Sequence, residues 1–367
     1  MDAREVTRDL VGIASHRDST TDESAAGDWI TAWLEERTDA IVECDGHGNV
    51  IASRGEGTTL ALVGHHDVVS PDDEQLEDGE YVIEERDGRL YGRGTADMKG
   101  SLAAMLCAFR DADVPAGVEL VFASFAGEER GGEGCRAAIE DGFAPDYAVV
   151  GEGSTGYSAP GVTDVAIAHK GRRGSTIVAE GESAHASEPE TGENAIYRAT
   201  DAVEIVRDLD APSTTVQGQT VDGSLAVTEI EGGSAWNVVP EHCTVTVDER
   251  TVPGARAPIE RVETVAGVSV EIDQDLPPMA CEDGTFADGA LRAAADTQDG
   301  DPAPVVKPHA TDAGWLADRA ATDCLVVGAA EPGEAHTATE SVSLSVVDRC
   351  YQIYDNIVAG FGSVVSS

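Results

Sequence analysis

Lysine is nearly absent from this chain: Lys99, Lys170 and Lys307 are the only three, and the other 21 of its 24 bases are arginine. Bases of both kinds are scarce against 69 acids, which leaves a formal net charge of −45 over 367 residues. A polyanion would be repelled, so nucleic acid and anionic membrane surfaces are excluded as partners. No apolar run approaches about 18 residues and no apolar leader follows the first residues, so neither membrane spanning nor secretion is expected. The seven cysteines are odd in number, scattered, and form no C-x-x-C pair. That argues against a cysteine metal site and for a reducing, cytoplasmic compartment. Gly92-Arg93-Gly94 lacks the rest of a dinucleotide fingerprint, Lys99-Gly100-Ser101 has the wrong order for a phosphate loop, and Ser154 lacks a G-x-S-x-G setting.

The acids are spread along the chain rather than gathered into a tail. This is the pattern of a solubilising, salt-adapted surface, as in a halophile. In molar salt the screening length shrinks to roughly 3 Å, and self-repulsion then costs little. With 41% hydrophobic residues the chain has ample core material, and its length suits two domains.

Ala26, Trp29, Ile30, Trp33 and Leu34 recur at helical spacing, as do Leu102, Met105, Leu106 and Phe109. Leu60–Val63, Val118–Ala123, Tyr147–Val150 and Cys324–Val327 are short apolar runs that read as buried strands. A metal-type side chain follows each of them. His65 and Asp67 come after the first, Glu128 and Glu129 after the second, Glu152 after the third, and His336 in the loop beyond the fourth. Open α/β sheets bind ligands beyond the carboxyl ends of their strands. Between about Arg172 and Ile272 the pattern changes to alternating strands around one long helix, Asn194 to Asp208. This predicts an inserted α+β domain of roughly 100 residues. The expected division is 172–279 as the insert, with 1–171 and 280–367 forming the metal-binding domain.

Imidazole and carboxylate suit Zn²⁺ and its first-row neighbours, Co²⁺ among them. Two such ions, roughly 3.5–4 Å apart, need a shared carboxylate and a bridging water that becomes the nucleophile. Asp97 is the candidate bridge, with His65 and Glu152 on one ion and Glu129 and His336 on the other. Asp67, two residues past His65, is placed to orient its imidazole. Glu128 remains, and a carboxylate that is not a ligand is the natural general base. Alternation turns His65 and His66 to opposite sides, and His65 is taken as the ligand. His16, His47 and His242 fit no cluster.

The stretches LVGHHDVVS, LYGRGTADMKGSLAAML, FAGEERGGEG, VVGEGS, KGRRGS, GESAHASEP, GGSAWNVVPE, DERTVPG and EAHTATE, in this order, resemble the M20 metallopeptidases. The likeness is to the branch of acetylornithine deacetylase and succinyl-diaminopimelate desuccinylase. It implies an α/β zinc-peptidase-like catalytic domain with a central mixed sheet, plus an inserted α+β dimerisation (lid) domain. It also implies a homodimer, two Zn²⁺ ions, and a cis peptide after Asp97. The implied activity removes an N-acyl group from an amino acid such as N-succinyl-diaminopimelate or N-acetylornithine. A dipeptidase or carboxypeptidase of the same family is the alternative, and a non-catalytic metal- or amino-acid-binding protein a third reading. The resemblance further implies that His185 steadies the oxyanion from a partner subunit, that Asn237 contacts substrate or oxyanion, and that Arg250 clamps a substrate carboxylate. The chain departs from the family at Ser70, at Gly153-Ser154, and at the acidic loop Asp72–Glu85.

Overall fold

Four apolar stretches, too short for helices and without strict alternation, become the strands Thr58–His65, Val118–Phe125, Tyr147–Val150 and Asp323–Val326 in the computed structural model. The structure describes residues 1–16, 24–78 and 80–365. The four strands lie side by side and parallel at the centre of a nine-stranded mixed sheet. Val50–Gly55 flanks them antiparallel on one side and Val165–His169 on the other. Leu60, Ala61, Leu62 and Val63 are all fully buried, so both faces of the sheet are covered, as a parallel sheet requires. The register pairs Val63 with Ala123 and with Val150, and Val150 with Val326. Their carboxyl ends therefore reach one edge together.

The two helical patterns become Ser24–Arg37 and Gly100–Asp111. The second is buried without a break from Gly100 to Phe109, because the sheet, Ala3–Val11 and the long C-terminal helix Leu344–Val365 all pack on it. The acidic stretch Asp72–Glu85, read from sequence as a loop, carries a short 3₁₀ turn at Asp73–Gln75 and the start of a small three-stranded sheet. Buried Tyr81 and the pairing of Glu84–Arg86 with Arg89–Tyr91 give it that order.

This first unit comprises Met1–Ala168, Met279–Lys307 and the chain from Thr311. The second comprises His169–Pro278 with Pro308–Ala310. In the second unit four antiparallel strands run in the order Ser224–Gly232, His242–Arg250, Arg172–Glu180, Val268–Leu276. Cys243, Val245 and Val247, at a period of two, bury one face of the sheet. Against it packs the helix Ala195–Arg207, through Ala195, Ala199, Ala202 and Val206 at helical spacing. Asn194 caps that helix by accepting the amide N–H of Ile196. Among the described residues no helix is long and apolar enough to cross a membrane. Six of the seven cysteines are buried, and Cys44 is exposed.

Candidate metal centre

His65 is the last residue of its strand and is buried. Its Nδ1 lies 3.0 Å from the carbonyl oxygen of Asp67. A carbonyl only accepts, so Nδ1 carries a proton, and the ring is fixed with Nε2 turned toward Asp97 and Glu152. The Asp67 carboxylate, whose Oδ1 is also 3.4 Å from His65 Nδ1, accepts the backbone N–H groups of Glu128 at 3.1 Å and Glu129 at 3.2 Å. One residue thus ties the His65 strand end to the turn that supplies both glutamates. That turn begins at Gly127, whose φ of 74° is the left-handed conformation that favours glycine.

Asp97 sits in the irregular turn Thr95–Lys99 with extended backbone angles, and its peptide bond to Met98 is cis. Its two oxygens divide between the imidazoles. Oδ1 is 3.0 Å from His65 Nε2, and Oδ2 is 3.0 Å from His336 Nε2. Glu152 Oε1 approaches His65 Nε2 at 3.4 Å, and Glu129 Oε1 approaches His336 Nε2 at 3.0 Å. His336 is half exposed and has a φ of 59°, a conformation uncommon outside glycine and one that collects at functional sites.

Two groups of donor atoms, each within 4.8 Å of one another, result: His65 with Glu128 and Glu152, and Asp97 with Glu129 and His336. Glu128, expected to stand outside the donors, therefore lies among them. Burial pushes the Glu128 and Glu129 carboxyls up, that of Glu128 well above its ordinary value. Burial also opposes ionisation of Asp97, but hydrogen bonds with His336 and His65 outweigh it and hold the carboxyl well below the usual range. Hydrogen bonds to Asp97 and Glu129 raise His336 to about 10. Four carboxylates crowd around two imidazoles, with Lys307 Nζ 3.7 Å from Glu152. So dense a set of part-buried acids suits divalent cations, and the donors are those of Zn²⁺ and its neighbours.

His66 faces away from these groups, as alternation implies. Its Nδ1 is 2.9 Å from Ser124 Oγ, and burial lowers its pKa to about 4. His16 stacks on Tyr81. His185, Asn237 and Arg250 belong to the second unit. His185 is exposed on a two-stranded ribbon, with its Nδ1 2.6 Å from Ser187 Oγ. Asn237 is close to it, its carbonyl accepting the N–H of Ala186. Arg250 ends a strand and donates through Nε to Asp248 at 2.8 Å. Sequence reasoning gave no role to Lys307, which donates to the carbonyl of Gly153 at 2.7 Å, or to Asp312, buried with Oδ1 unpartnered and raised to about 7 by burial. The scarcity of lysine was the available signal for Lys307.

Residues 61–360 match peptidase family M20/M25/M40. Over 390 aligned residues the chain is 27% identical to an acetylornithine deacetylase of Proteus mirabilis (strain HI4320), covering 97% of this chain and 96% of that protein. Among solved structures it resembles aminopeptidase PepT of Bacillus cereus ATCC 10987, with a TM-score of 0.76, 20% identity and 98% of each chain covered. A metallo-carboxypeptidase of the M20 family from Sulfolobus solfataricus aligns with a TM-score of 0.74 at 15% identity, over 98% of this chain and 99% of that one. Both share the fold.

Proposed function

Because the chain belongs to peptidase family M20/M25/M40 and is a metal-dependent hydrolase of amide bonds, we propose that it removes an N-acyl group from an amino acid. Full-length similarity to a deacetylase supports this choice over peptide substrates. The observation that carries the mechanism is Asp97, with one oxygen 3.0 Å from each imidazole. His65, Asp97 and Glu152 would hold one divalent ion, and His336, Asp97 and Glu129 a second, with Zn²⁺ the preferred metal and Co²⁺ a substitute. Such ions polarise the scissile carbonyl and ease deprotonation of water.

The protein's own groups do the rest. With Asp97 shared, each half of the centre has three donors without Glu128. Glu128 is then free to take the proton of the attacking water and return it to the leaving amine. Asp67 keeps His65 in the tautomer that offers Nε2. His185 and Asn237 would steady the oxyanion, and Arg250 would grip a substrate carboxylate. The substrate class is that of N-acetylornithine or N-succinyl-diaminopimelate, in the cytoplasm. A homodimer through the second unit is supported by the edge strand Ser224–Gly232 and by exposed Ile230, Tyr197 and Trp236.

A panel of N-acyl amino acids and dipeptides, assayed with Zn²⁺ and with Co²⁺, tests the substrate. N-Acyl amino acids should give the higher kcat/KM. Faster turnover of dipeptides would establish the dipeptidase alternative instead.

The acidic composition supports a salt-adapted surface. Screening should relieve self-repulsion, so the Tm should rise between about 0.1 and about 2 M KCl. A Tm that stays flat or falls over that range would sink this reading.

A further inference from the structure

We propose that Glu340 is a positioning residue that sets the separation of Asp97 and His336. Glu340 lies four residues past His336, at the end of the same loop, and is 1% exposed. Its Oε1 accepts two backbone N–H groups of the neighbouring turn, from Ala96 at 2.9 Å and from Asp97 itself at 3.1 Å. Its Oε2 accepts from Arg93 Nη1 at 2.6 Å, and Arg93 is likewise buried. The Glu340 carbonyl accepts the N–H of Gly92 at 3.1 Å, and its own N–H donates back to the carbonyl of Thr337 at 3.2 Å. On the other side of the loop, Gln75 donates to that same Thr337 carbonyl.

One side chain therefore joins the segment that carries Asp97 to the loop that carries His336. The two segments are 239 positions apart in the chain, and the Asp97–His336 contact at 3.0 Å needs both held in register. A carboxylate suits this place for a specific reason. It is all acceptor, so it serves two amides with one oxygen and a guanidinium with the other. Glutamine has the same shape but must aim its NH₂ either at Arg93 or at the amides, and one set of bonds fails. Aspartate keeps the charge and falls a methylene short. Neither Glu340 nor Arg93 supplies a metal donor or touches a reacting atom, so their effect passes through Asp97 and His336.

The inference rests on Asp97 and His336 acting as metal donors, and the test separates the two ideas. The full-length protein is stripped with chelator and titrated with Co²⁺, followed by visible absorption and calorimetry. His336→Ala identifies which binding step belongs to the Glu129–His336 half. If the wild type binds no Co²⁺, the metal reading itself fails. If it binds two, Glu340→Gln should weaken the His336 step at least about tenfold, the scale for groups that orient metal ligands, and weaken the other step less. Unchanged affinities with a lowered Tm would make Glu340 purely structural and overturn the proposal, as would equal losses at both steps. Should Glu340→Gln fail to give a folded near-UV spectrum, Arg93→Lys takes its place. It keeps the charge, loses the planar fork, and should weaken the same step; affinities equal to wild type would again overturn the proposal.

Discussion

Glu128→Ala should lower kcat by at least about 10²-fold while the protein still binds two metal ions. The expectation follows from the division of donors. Asp97 gives one oxygen to each imidazole, Glu152 completes one half and Glu129 the other. Glu128 lies in the first donor group, and with Asp97 shared as proposed it is not needed to complete it. Burial also disfavours its charged form, which suits a group that must accept a proton and later release it. Glu129→Ala, by contrast, should lose metal together with activity. Elemental analysis of both variants decides the matter. A metal-free Glu128→Ala protein beside a fully loaded Glu129→Ala protein would exchange the two roles.

Asp97→Ala should be the most damaging single change, with both ions weakened and activity reduced beyond about 10³-fold. Among the described residues no other side chain contacts both imidazoles in an ion pair: Glu152 approaches only His65, and Glu129 only His336. His336→Ala should weaken one ion and leave the other. Metal titration of the two variants separates a bridge from an ordinary ligand. If Asp97→Ala kept one ion at wild-type affinity, Asp97 would belong to one half alone.

The parallel core was legible because buried parallel strands have a plain signature, short runs without alternation. Tyr147–Val150 is read with the same bounds from sequence and structure, and Leu60–Val63 lies within Thr58–His65. The candidate donors other than Asp97 stood out because each comes after such a run. The Asp97 geometry was not legible, since the N–H of Asp97 in this irregular turn donates to Glu340, 243 positions away in the chain. Nothing local announces that contact, although Arg93 and Glu340 both stand inside motifs visible in the sequence. The helices Gly284–Ala295 and Asp312–Ala320 were also missed. In the first, alanine forms most of the buried face, and so small an apolar contrast makes the helical period hard to see; in the second, the buried residues Asp312, Ala313, Gly314, Trp315 and Leu316 are consecutive and show no such period. Lys99 shows a different limit. Its sequence setting fitted no phosphate loop and gave it no role, and the structure buries it, with its ammonium donating to the carbonyl of Ile13 and its pKa lowered by burial to about 7.

The strand Asp323–Val326 lies in the sheet between Tyr147–Val150 and Val165–His169, although the whole second unit intervenes in the chain. This orders events during synthesis. A nascent chain that has emerged only as far as the second unit carries an open slot in its central sheet, with strand edges unpaired on both sides and His336 still to be made. Such edges are sites of misassembly until they are filled. The second unit's sheet and helix are complete in sequence by then, so it can fold while the first waits. A chain arrested just before residue 323 should therefore yield a protease-resistant second unit and a first unit that remains cleavable and binds no pair of metals.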